Sequence, residues 1–223
     1  MAQHPFPSPH PQPPAWETSP GLTAYDTAHA AMEARVAAIR EGRAGEMVWL
    51  LEHDPVYTAG RSARREDLIN PGDAAIREVG RGGEWTWHGP GQRVAYIMLD
   101  VAARGQDVRK FIAQVEEWVI LSLRQLGVES ERRPGYPGVW ISRGDAAPPA
   151  KIAAIGVRLS RWVSWHGVAI NLNPDLSVYG GIVPCGITEG SVTSLHAEGL
   201  EALTMADLDA ALAETFATAF PIP

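Results

Sequence analysis

The sequence predicts an α+β fold in which helices pack on a mixed β-sheet. Segments with the apolar spacing of helices alternate with pairs of short apolar segments typical of strands, and several of these pairs are close enough to form hairpins. No internal repeat interrupts this order. At 223 residues, with 45 % hydrophobic and 20 % charged residues, the chain has the composition of a globular protein with a full core.

Charge and cysteine content argue against several classes of protein. The formal net charge of −7 is unfavourable for a general nucleic-acid-binding protein. A single cysteine excludes an internal disulfide and zinc sites built from several cysteines. No apolar segment approaches the roughly 20 residues that span a bilayer, and the N-terminus lacks the pattern of a signal peptide. We therefore expect a cytoplasmic protein without a membrane or nucleic-acid partner.

The N-terminal segment differs in composition from the rest of the chain. Residues 1–20 hold seven of the 18 prolines, and so many prolines favour an extended segment that packs poorly. We expect residues 1–20 to be a disordered arm and residues 21–223 to be a single domain. In that domain, apolar spacing predicts a helix from about residue 23 to Gly42, a buried strand over residues 47–51, and a loop over residues 56–61.

Residues 79–92 have features of a binding site. Gly82 and Gly83 leave backbone N–H groups open to a ligand carbonyl or phosphate, although a short glycine-rich loop is more often only a turn. Strand alternation then puts polar and aromatic side chains on opposite faces: Glu84, Thr86 and His88 on one, Trp85 and Trp87 on the other. A turn at residues 89–91 leads into a returning strand over residues 93–99.

The second half of the chain predicts two further helices. Asp107 is suited to cap a helix over residues 108–126. Thr204 and Asp207 form a capping pattern for a C-terminal helix that ends at Phe220. Residues 190–195 are expected to start a short helix.

Strands and stiff loops lie between these helices. Residues 132–140 predict a stiff loop that enters a strand. Residues 151–159 and 163–172 predict a pair of strands joined by a short turn.

Lys151 is unusual because it heads a strand of small apolar residues, whereas most lysines are solvated. The two facing strands carry small residues at many positions, which are Ala153, Ala154, Gly156, Gly167 and Ala169. Such strands could leave an apolar slot for an unbranched chain, or they could simply pack tightly in a sheet. The residues alone leave both interpretations open.

Cys185 is the only cysteine, and it stands between Pro184 and Gly186 after two β-branched residues. This pattern is typical of a strand that ends in a turn, and it suits a nucleophile at the rim of a sheet. A lone cysteine is more often a small buried apolar residue. The surrounding motifs favour the nucleophile.

Five motifs together resemble the lipoyl(octanoyl) transferase family. They occur in unbroken order from about residue 25 to residue 195, and they are Arg81-Gly82-Gly83-x-x-Thr86-x-His88-Gly89-Pro90-Gly91-Gln92, Arg133-Pro134-Gly135-x-x-Gly138-Val139-Trp140, Lys151-Ile152-Ala153-Ala154-Ile155-Gly156, His166-Gly167-x-Ala169-x-Asn171 and Pro184-Cys185-Gly186-Ile187. Each motif alone is a weak indicator of the family, but the five together are specific for it. Trp87 departs from the pattern because a tyrosine is common there, and Trp165 before His166 is a similar departure.

The resemblance implies an acyltransferase whose catalytic domain, over residues 21–223, is similar to that of biotin and lipoate protein ligases. It implies transfer of an octanoyl group from octanoyl-acyl carrier protein to a lysine of lipoyl domains, through an acyl-thioester intermediate, as the first step of endogenous protein lipoylation in lipoate biosynthesis. The implied acceptors are the lipoyl domains of 2-oxo acid dehydrogenase complexes and the glycine cleavage H protein. No cofactor and no metal are implied.

The resemblance also implies roles for individual residues. Cys185 would be the nucleophile, and Lys151 would favour its thiolate. His166 is a possible supporting residue. The implied substrate-binding residues are Arg81, Gly82, Gly83, Glu84, Trp85, Thr86, Trp87, His88, Ala154, Ile155, Gly156, Gly167, Val168 and Ala169.

Three alternatives remain open from the sequence. One is an ATP-dependent lipoate or biotin protein ligase of the same fold, which needs no nucleophilic cysteine. Another is a non-catalytic module that binds acyl carrier protein or lipid. The third is a cysteine hydrolase that pairs Cys185 with His88 or His166.

Overall fold

Eleven strands and three α-helices make up most of the part of the chain that the computed structural model describes, residues 12–183 and 191–221. In chain order the elements are β1 (Ala15–Thr23), α1 (Tyr25–Arg40), β2 (Met47–His53), β3 (Val56–Ala59), β4 (Ala75–Glu78), β5 (Trp85–His88), β6 (Gln92–Met98), α2 (Val108–Gln125), β7 (Glu131–Arg133), β8 (Tyr136–Ile141), β9 (Ala150–Ser160), β10 (Val163–Asn171), β11 (Ser191–Val192) and α3 (Met205–Ala219). Short 3₁₀ turns lie at Arg65–Asp67, Gly144–Ala146 and Leu176–Gly181. The predicted α+β fold is confirmed.

The strands form two mixed sheets. The large sheet has the order β1-β2-β6-β10-β9-β8-β7, with β11 beside β9, and the small sheet has the order β4-β3-β5. In the large sheet β1 runs parallel to β2 and β11 runs parallel to β9, whereas the other neighbours are antiparallel. The antiparallel pair of β9 and β10 confirms the predicted hairpin at residues 160–162.

Helices cover both faces of the large sheet. The predicted caps of α2 and α3 are confirmed: Asp107 accepts hydrogen bonds from two backbone N–H groups of α2, and Thr204 and Asp207 form a reciprocal capping box on α3. Because α2 is amphipathic, its apolar side packs with α3 on one face of the sheet. Helix α1 packs on the opposite face, chiefly against β10 and β6.

The predicted N-terminal boundary is wrong for residues 15–20, which belong to β1 instead of a disordered arm. The strand pairs with β2, and Trp16 packs edge-on against Trp118 and Phe216. Pro20 is tolerated because it falls in a register shift between Thr18 and Leu22, at the edge of the sheet. Residues 1–11 lie outside the described part of the chain.

Four other local predictions need correction. Residues 56–59 form β3 instead of a loop, because an alternating apolar segment follows Pro55 directly. β5 and β6 do not pair, since each belongs to a different sheet. Residues 131–141 form the hairpin of β7 and β8 around Gly135, which has a positive φ of 84°. Ser191–Val192 is the strand β11 instead of the start of a helix, and residue 190 is not described.

None of the helices in residues 12–183 and 191–221 combines the length and the apolar character that crossing a bilayer requires.

Candidate active site

A narrow cavity of ≈ 40 Å³ lies between α1, the small sheet and the α1-facing side of the large sheet. Its apolar side-chain walls come from Val94 on β6, Ala154 on β9 and Ala169 on β10, whereas Ile155 and Val168 border it but pack their side chains in the cluster on the α2–α3 face. Polar and aromatic groups complete the lining, which are Tyr25, Arg81, Glu84, Thr86, His88, Tyr96 and His166. The cavity therefore combines an apolar slot with a few fixed polar groups.

A wider groove of ≈ 250 Å³ adjoins this cavity and contains Lys151. Gly83, Glu84, Ile155 and Gly156 line both spaces and therefore mark their junction. The groove reaches from the loop at Ser62 to the β7–β8 turn at residues 135–137.

The loop of residues 81–84 occupies the edge of β9 beyond the last residue that pairs with β8. β8 pairs with β9 only as far as Ala153, so the later part of β9 has a free edge on that side. There the N–H of Gly82 donates to the carbonyl oxygen of Val157 at 3.0 Å, so the prediction that this N–H is open to a ligand is wrong. Gly60 must be a glycine, because an added Cβ would lie 2.2 Å from the oxygen of Gly83.

The glycines in β9 and β10 allow neighbouring atoms to pack closely and do not leave open space. A Cβ at Gly167 would lie 2.0 Å from the carbonyl oxygen of Ala95, and a Cβ at Gly156 would lie 2.8 Å from Cδ of Arg81. The small side chains that face the cavity are Ala154 and Ala169, which oppose each other across the two strands. Tight packing is therefore confirmed at Gly156 and Gly167, whereas the slot for an unbranched chain stays a prediction for Ala154 and Ala169.

Arg81 is a buried cation beside the cavity, with 7 % of its surface exposed. One terminal nitrogen donates to the backbone oxygen and to Oγ1 of Thr58, both at 2.7 Å. Its other terminal nitrogen donates to the oxygen of Gly82 at 3.0 Å. These hydrogen bonds join the 81–84 loop to β3 of the small sheet.

His53 and Tyr96 form a buried pair with a fixed proton arrangement. Nδ1 of His53 lies 2.8 Å from the carbonyl oxygen of Thr23, which only accepts, so Nδ1 carries the proton. Nε2 therefore accepts from the hydroxyl of Tyr96 at 2.7 Å. Burial lowers the pKa of His53 and raises the pKa of Tyr96 well above its usual range, so both groups are neutral near pH 7. Burial also raises the pKa of Tyr25 to about 12.

His166 is buried in a strained backbone conformation. Its φ is 60°, a left-handed value that is uncommon for a residue with a side chain, and it lies within β10. Nε2 is buried and has no hydrogen-bond partner among the described residues. Burial lowers the pKa of His166 to about 3, and the charge of Arg81 acts in the same direction. His166 is therefore a neutral ring that lines the cavity.

Lys151 lies at the start of β9 with only 5 % of its surface exposed. Its Nζ donates to the carbonyl oxygen of Pro137 at 3.2 Å and lies 4.7 Å from the ring centroid of Trp140. An added Cβ at Gly138 would approach the oxygen of Ala153 to 2.6 Å and Cε of Lys151 to 3.3 Å. The β7–β8 hairpin therefore holds the lysine side chain toward the groove.

Cys185 lies in residues 184–190, outside the described part of the chain. The residues on either side are placed. The N–H of Val183 donates to the oxygen of Asp67 at 2.8 Å, whereas Val192 pairs with Lys151 in β11 and β9. The chain therefore re-enters the described structure beside Lys151.

Comparison with known proteins gives the family. The family model described as "Lipoyl protein ligase A/B catalytic domain" matches residues 24–217. An octanoyltransferase of Cereibacter sphaeroides (strain ATCC 17025) is 58 % identical over 213 residues, covering 92 % of this chain and 97 % of that protein. An octanoyltransferase of Dinoroseobacter shibae is 55 % identical over 216 residues, covering 93 % of this chain and 98 % of that protein.

The chain belongs to the octanoyltransferase family. It is therefore an acyltransferase, as the sequence motifs implied.

Solved structures show that this octanoyltransferase fold is shared with ligases. A chain in the structure of a bipartite lipoate protein ligase and its E2 lipoyl domain from Thermoplasma acidophilum has a TM-score of 0.67 at 15 % identity, covering 94 % of this chain and 84 % of that chain. Lipoate-protein ligase A bound with ATP has a TM-score of 0.66 at 15 % identity, covering 91 % and 84 %. These likenesses confirm the predicted fold class.

The structure brings most of the site residues that octanoyltransferase motifs implied into one place. The implied residues that line the cavity are Arg81, Gly83, Glu84, Trp85, Thr86, His88, Ala154, Ile155, Gly156, His166, Gly167, Val168 and Ala169. Gly82 and Lys151 line the adjoining groove. Trp87 lies elsewhere: its side chain packs in the small sheet, edge-on to Tyr179.

Tyr25, Val94 and Tyr96 also line the cavity and were not among the residues predicted from the sequence. Tyr25 and Val94 follow ordinary apolar patterns of a helix and a strand, so their spacing indicates core. Tyr96 gives a weak signal, since a buried tyrosine hydroxyl requires a hydrogen-bond partner.

Proposed function

We propose that this enzyme transfers an octanoyl group from octanoyl-acyl carrier protein to a lysine of lipoyl domains, with Cys185 as the acyl carrier within the enzyme. The observation that supports this proposal is an apolar cavity that shares four lining residues with a groove containing the buried Lys151, in a member of the octanoyltransferase family. The proposed domain runs from the start of β1 through α3, and the proposed location is the cytoplasm.

The proposed chemistry has two steps. First the thiolate of Cys185 attacks the carrier-bound thioester, the bond to the carrier sulfur breaks, and the carrier leaves as a free thiol after taking up a proton. Then the amine of a lipoyl-domain lysine attacks the enzyme thioester, giving an amide and restoring the cysteine. Lys151 would stabilise the thiolate by its charge and exchange the protons of both steps.

The cavity residues would hold the acyl chain. Val94, Ala154 and Ala169 supply apolar contacts, and the glycine-rich loop of residues 81–84 borders both the cavity and the groove. The implied binding residues that line these two spaces are thus candidates for contact with the octanoyl-pantetheine arm, whereas Trp87 would act only through packing of the small sheet.

Exposed arginines near the groove are the proposed contact with the acidic carrier protein. Arg61, Arg64 and Arg65 are exposed, and no ion pair to any of them is found in the part of the chain that the structure describes. Their loop is fixed to the groove, since Ser62 N–H donates to the oxygen of Gly83 at 3.0 Å. In contrast, Arg132 is bound by Glu116 and Glu117, and Arg158 lies over Trp165 at 4.4 Å.

Intact mass spectrometry after mixing the enzyme with octanoyl-acyl carrier protein, without ATP or acceptor, tests the proposal. We expect a covalent octanoyl adduct at Cys185 that is absent in Cys185→Ser. In Lys151→Met, which keeps the aliphatic stem, we expect adduct formation to slow by about 10²- to 10⁴-fold. Lys151→Arg keeps the charge but cannot exchange a proton near neutral pH, so it separates the two proposed roles of Lys151.

The rival functions predict different outcomes of the same experiment. A ligase would form no adduct and would require ATP for transfer. A binding module would bind the acylated carrier equally well as Cys185→Ala. A hydrolase would release free octanoate as fast as it transferred the acyl group. No adduct under conditions where the carrier protein binds would overturn the assignment of Cys185.

A further inference from the structure

A buried network of side chains connects the cavity to the backbone of Lys151. Gln92, at the start of β6, is fully buried, and Asn171, at the end of β10, is 3 % exposed. Nε2 of Gln92 lies 3.0 Å from Oδ1 of Asn171 and 2.9 Å from the hydroxyl of Tyr179. The two amides and the phenol thus form a closed triangle, since that hydroxyl also lies 3.2 Å from Oδ1 of Asn171.

The direction of every hydrogen bond in this network follows from one carbonyl group. The oxygen of Thr193 can only accept, so the group of Asn171 that lies 2.9 Å from it is the amide NH₂. Oδ1 of Asn171 therefore faces Gln92, which must present its own NH₂ there. Oε1 of Gln92 consequently faces His88 and accepts from Nδ1 at 2.8 Å.

His88 is thereby fixed in one tautomer. With the proton on Nδ1, Nε2 is an acceptor, and it lies 3.5 Å from Oγ1 of Thr58. That hydroxyl accepts from Arg81 and so retains its own hydrogen for His88. Burial lowers the pKa of His88 well below its usual value, which agrees with a neutral ring.

The other end of the network reaches Lys151. The N–H of Thr193 donates to the backbone oxygen of Lys151 at 2.9 Å, directly after β11 pairs with β9. Asn171 therefore holds the strand that lies against Lys151, and Tyr179 belongs to the turn that precedes residues 184–190.

We propose that Gln92 and Asn171 are positioning residues, whose amides form a buried bridge that holds the chain on both sides of residues 184–190, at Tyr179 and Thr193, in register with Lys151 and His88. The bridge itself contacts no reacting atom. It rests on the proposed function, because its role is to hold the two anchors of the segment that carries Cys185 in place relative to Lys151.

Isosteric substitutions test the bridge. Asn171→Asp replaces the NH₂ group that Thr193 requires with an oxygen, and Gln92→Glu does the same toward Asn171 and Tyr179. Because displacement of a catalytic group by about 1 Å can cost on the order of 100-fold, we expect each variant to form the octanoyl adduct about 10- to 100-fold more slowly. Tyr179→Phe removes only the hydroxyl corner of the triangle, so we expect a smaller decrease in the rate of adduct formation.

The only cysteine in the chain gives a second readout that needs no acyl substrate. The rate of alkylation by iodoacetamide against pH reports the pKa of the Cys185 thiol. We expect this pKa to be higher in Asn171→Asp and Gln92→Glu than in the wild type, because the lysine charge is displaced. Ser122→Ala is the matched control: its hydroxyl is equally buried and donates to the oxygen of Trp118 at 2.8 Å, on the other face of the sheet.

The outcomes separate positioning from general stability. A higher thiol pKa and slow acylation in both bridge variants, with wild-type values in Ser122→Ala, support the proposal. Wild-type alkylation profiles in folded bridge variants overturn it, as do equal losses in all three variants that follow their melting temperatures. If the wild-type enzyme forms no adduct, the proposed function fails, and the alkylation profiles still decide whether the bridge exists.

Discussion

The two faces of the large sheet are built from different kinds of side chain. On the face covered by α2 and α3, Trp118 is fully buried among Phe111, Phe216 and Phe220, with ring centroids 5.3 Å apart for Trp118 and Phe216. On the face covered by α1, an apolar cluster around Met32 stands beside polar residues that are buried at the cavity. These polar residues line the cavity or bond to a residue that does, and they are His53, Thr58, Arg81, Thr86, His88 and His166.

This difference predicts that the α2–α3 face contributes more to stability, whereas the α1 face holds the polar cavity. Burial of aromatic surface stabilises a fold without any further requirement, whereas each buried polar group costs free energy unless a hydrogen bond compensates it. Several neighbouring residues on the α1 face carry this free-energy cost. At His166 a left-handed backbone conformation adds conformational strain. Such costs concentrate at functional sites, so the comparison favours the cavity as the candidate site on grounds other than the sequence motifs.

The largest expected effect comes from the apolar face. Trp118→Ala removes a fully buried indole, including its hydrogen bond to the oxygen of Leu212 at 2.8 Å. We expect the free energy of unfolding to fall by about 3–5 kcal/mol. The rate of octanoyl adduct formation per folded molecule should stay at the wild-type value. Denaturant unfolding and intact mass spectrometry measure the two quantities.

Tyr96→Phe is the matched change on the cavity face. It removes one hydroxyl, whose hydrogen-bond partner is Nε2 of His53. We therefore expect the free energy of unfolding to fall by about 1–3 kcal/mol and the octanoyl adduct to form more slowly. If Trp118→Ala does not fold, Trp118→Phe gives the same comparison with a smaller loss. A change in acylation rate in the Trp118 variants, at constant folded fraction, would contradict the division between the two faces.

Much of the fold was predictable because its signals are local. The caps at Asp107 and Thr204 act within one helical turn, and the strands around residue 160 have periodic apolar side chains. The failures depend on contacts distant in sequence. Trp16 finds its partners on α2 and α3, about 100 and 200 residues away, so proline content predicted disorder where a strand forms. Likewise no local signal shows that β5 and β6 belong to different sheets.

The candidate site was predicted from sequence motifs. Thirteen of the residues that these motifs implied line one cavity in the structure. Residues with ordinary apolar patterns could not be found in this way, and Tyr25 and Val94 are examples. Gln92 and Asn171 were present in the motifs, but their connection to Thr193 depends on three strands that meet only in the folded chain. Motifs thus indicate candidate site residues more readily than they indicate the groups that hold those residues in place.

A pH titration should show the cost of the buried histidines directly. The folded-state pKa of His166 is about 3, below the value near 6.5 of the unfolded chain, so the unfolded state binds more protons between these values. Its contribution to stability is therefore present above pH 6.5 and is lost as the pH falls toward 3. At pH 5.5 this one residue should lower the free energy of unfolding by about 1.4 kcal/mol relative to pH 7.5.

The variant His166→Asn isolates this effect, because asparagine tolerates a left-handed φ and does not titrate. Urea unfolding of both proteins at pH 7.5 and 5.5 gives two losses of stability, and their difference removes the contribution of the other titrating groups, above all His53 and His88. We expect the wild-type loss to be larger by about 1.4 kcal/mol. Equal losses would mean that His166 takes up a proton as readily in the folded as in the unfolded protein.

The smallest expected effect concerns the surface beside the groove and extends the comparison from the buried faces to the rim. Arg64 and Arg65 are exposed, so reversing both charges should change the free energy of unfolding little. An attraction between exposed charges acts mainly on the rate of encounter and weakens with salt. We expect Arg64→Glu with Arg65→Glu to raise the Michaelis constant for octanoyl-acyl carrier protein about threefold at low ionic strength, with unchanged kcat.

The difference in Michaelis constant should vanish at high salt. Arg124 is an exposed arginine on α2, and Arg124→Glu should leave the Michaelis constant unchanged. An unchanged Michaelis constant at low salt would remove this pair from the docking surface, whereas a fall in kcat would place it in the catalytic machinery instead of at its rim.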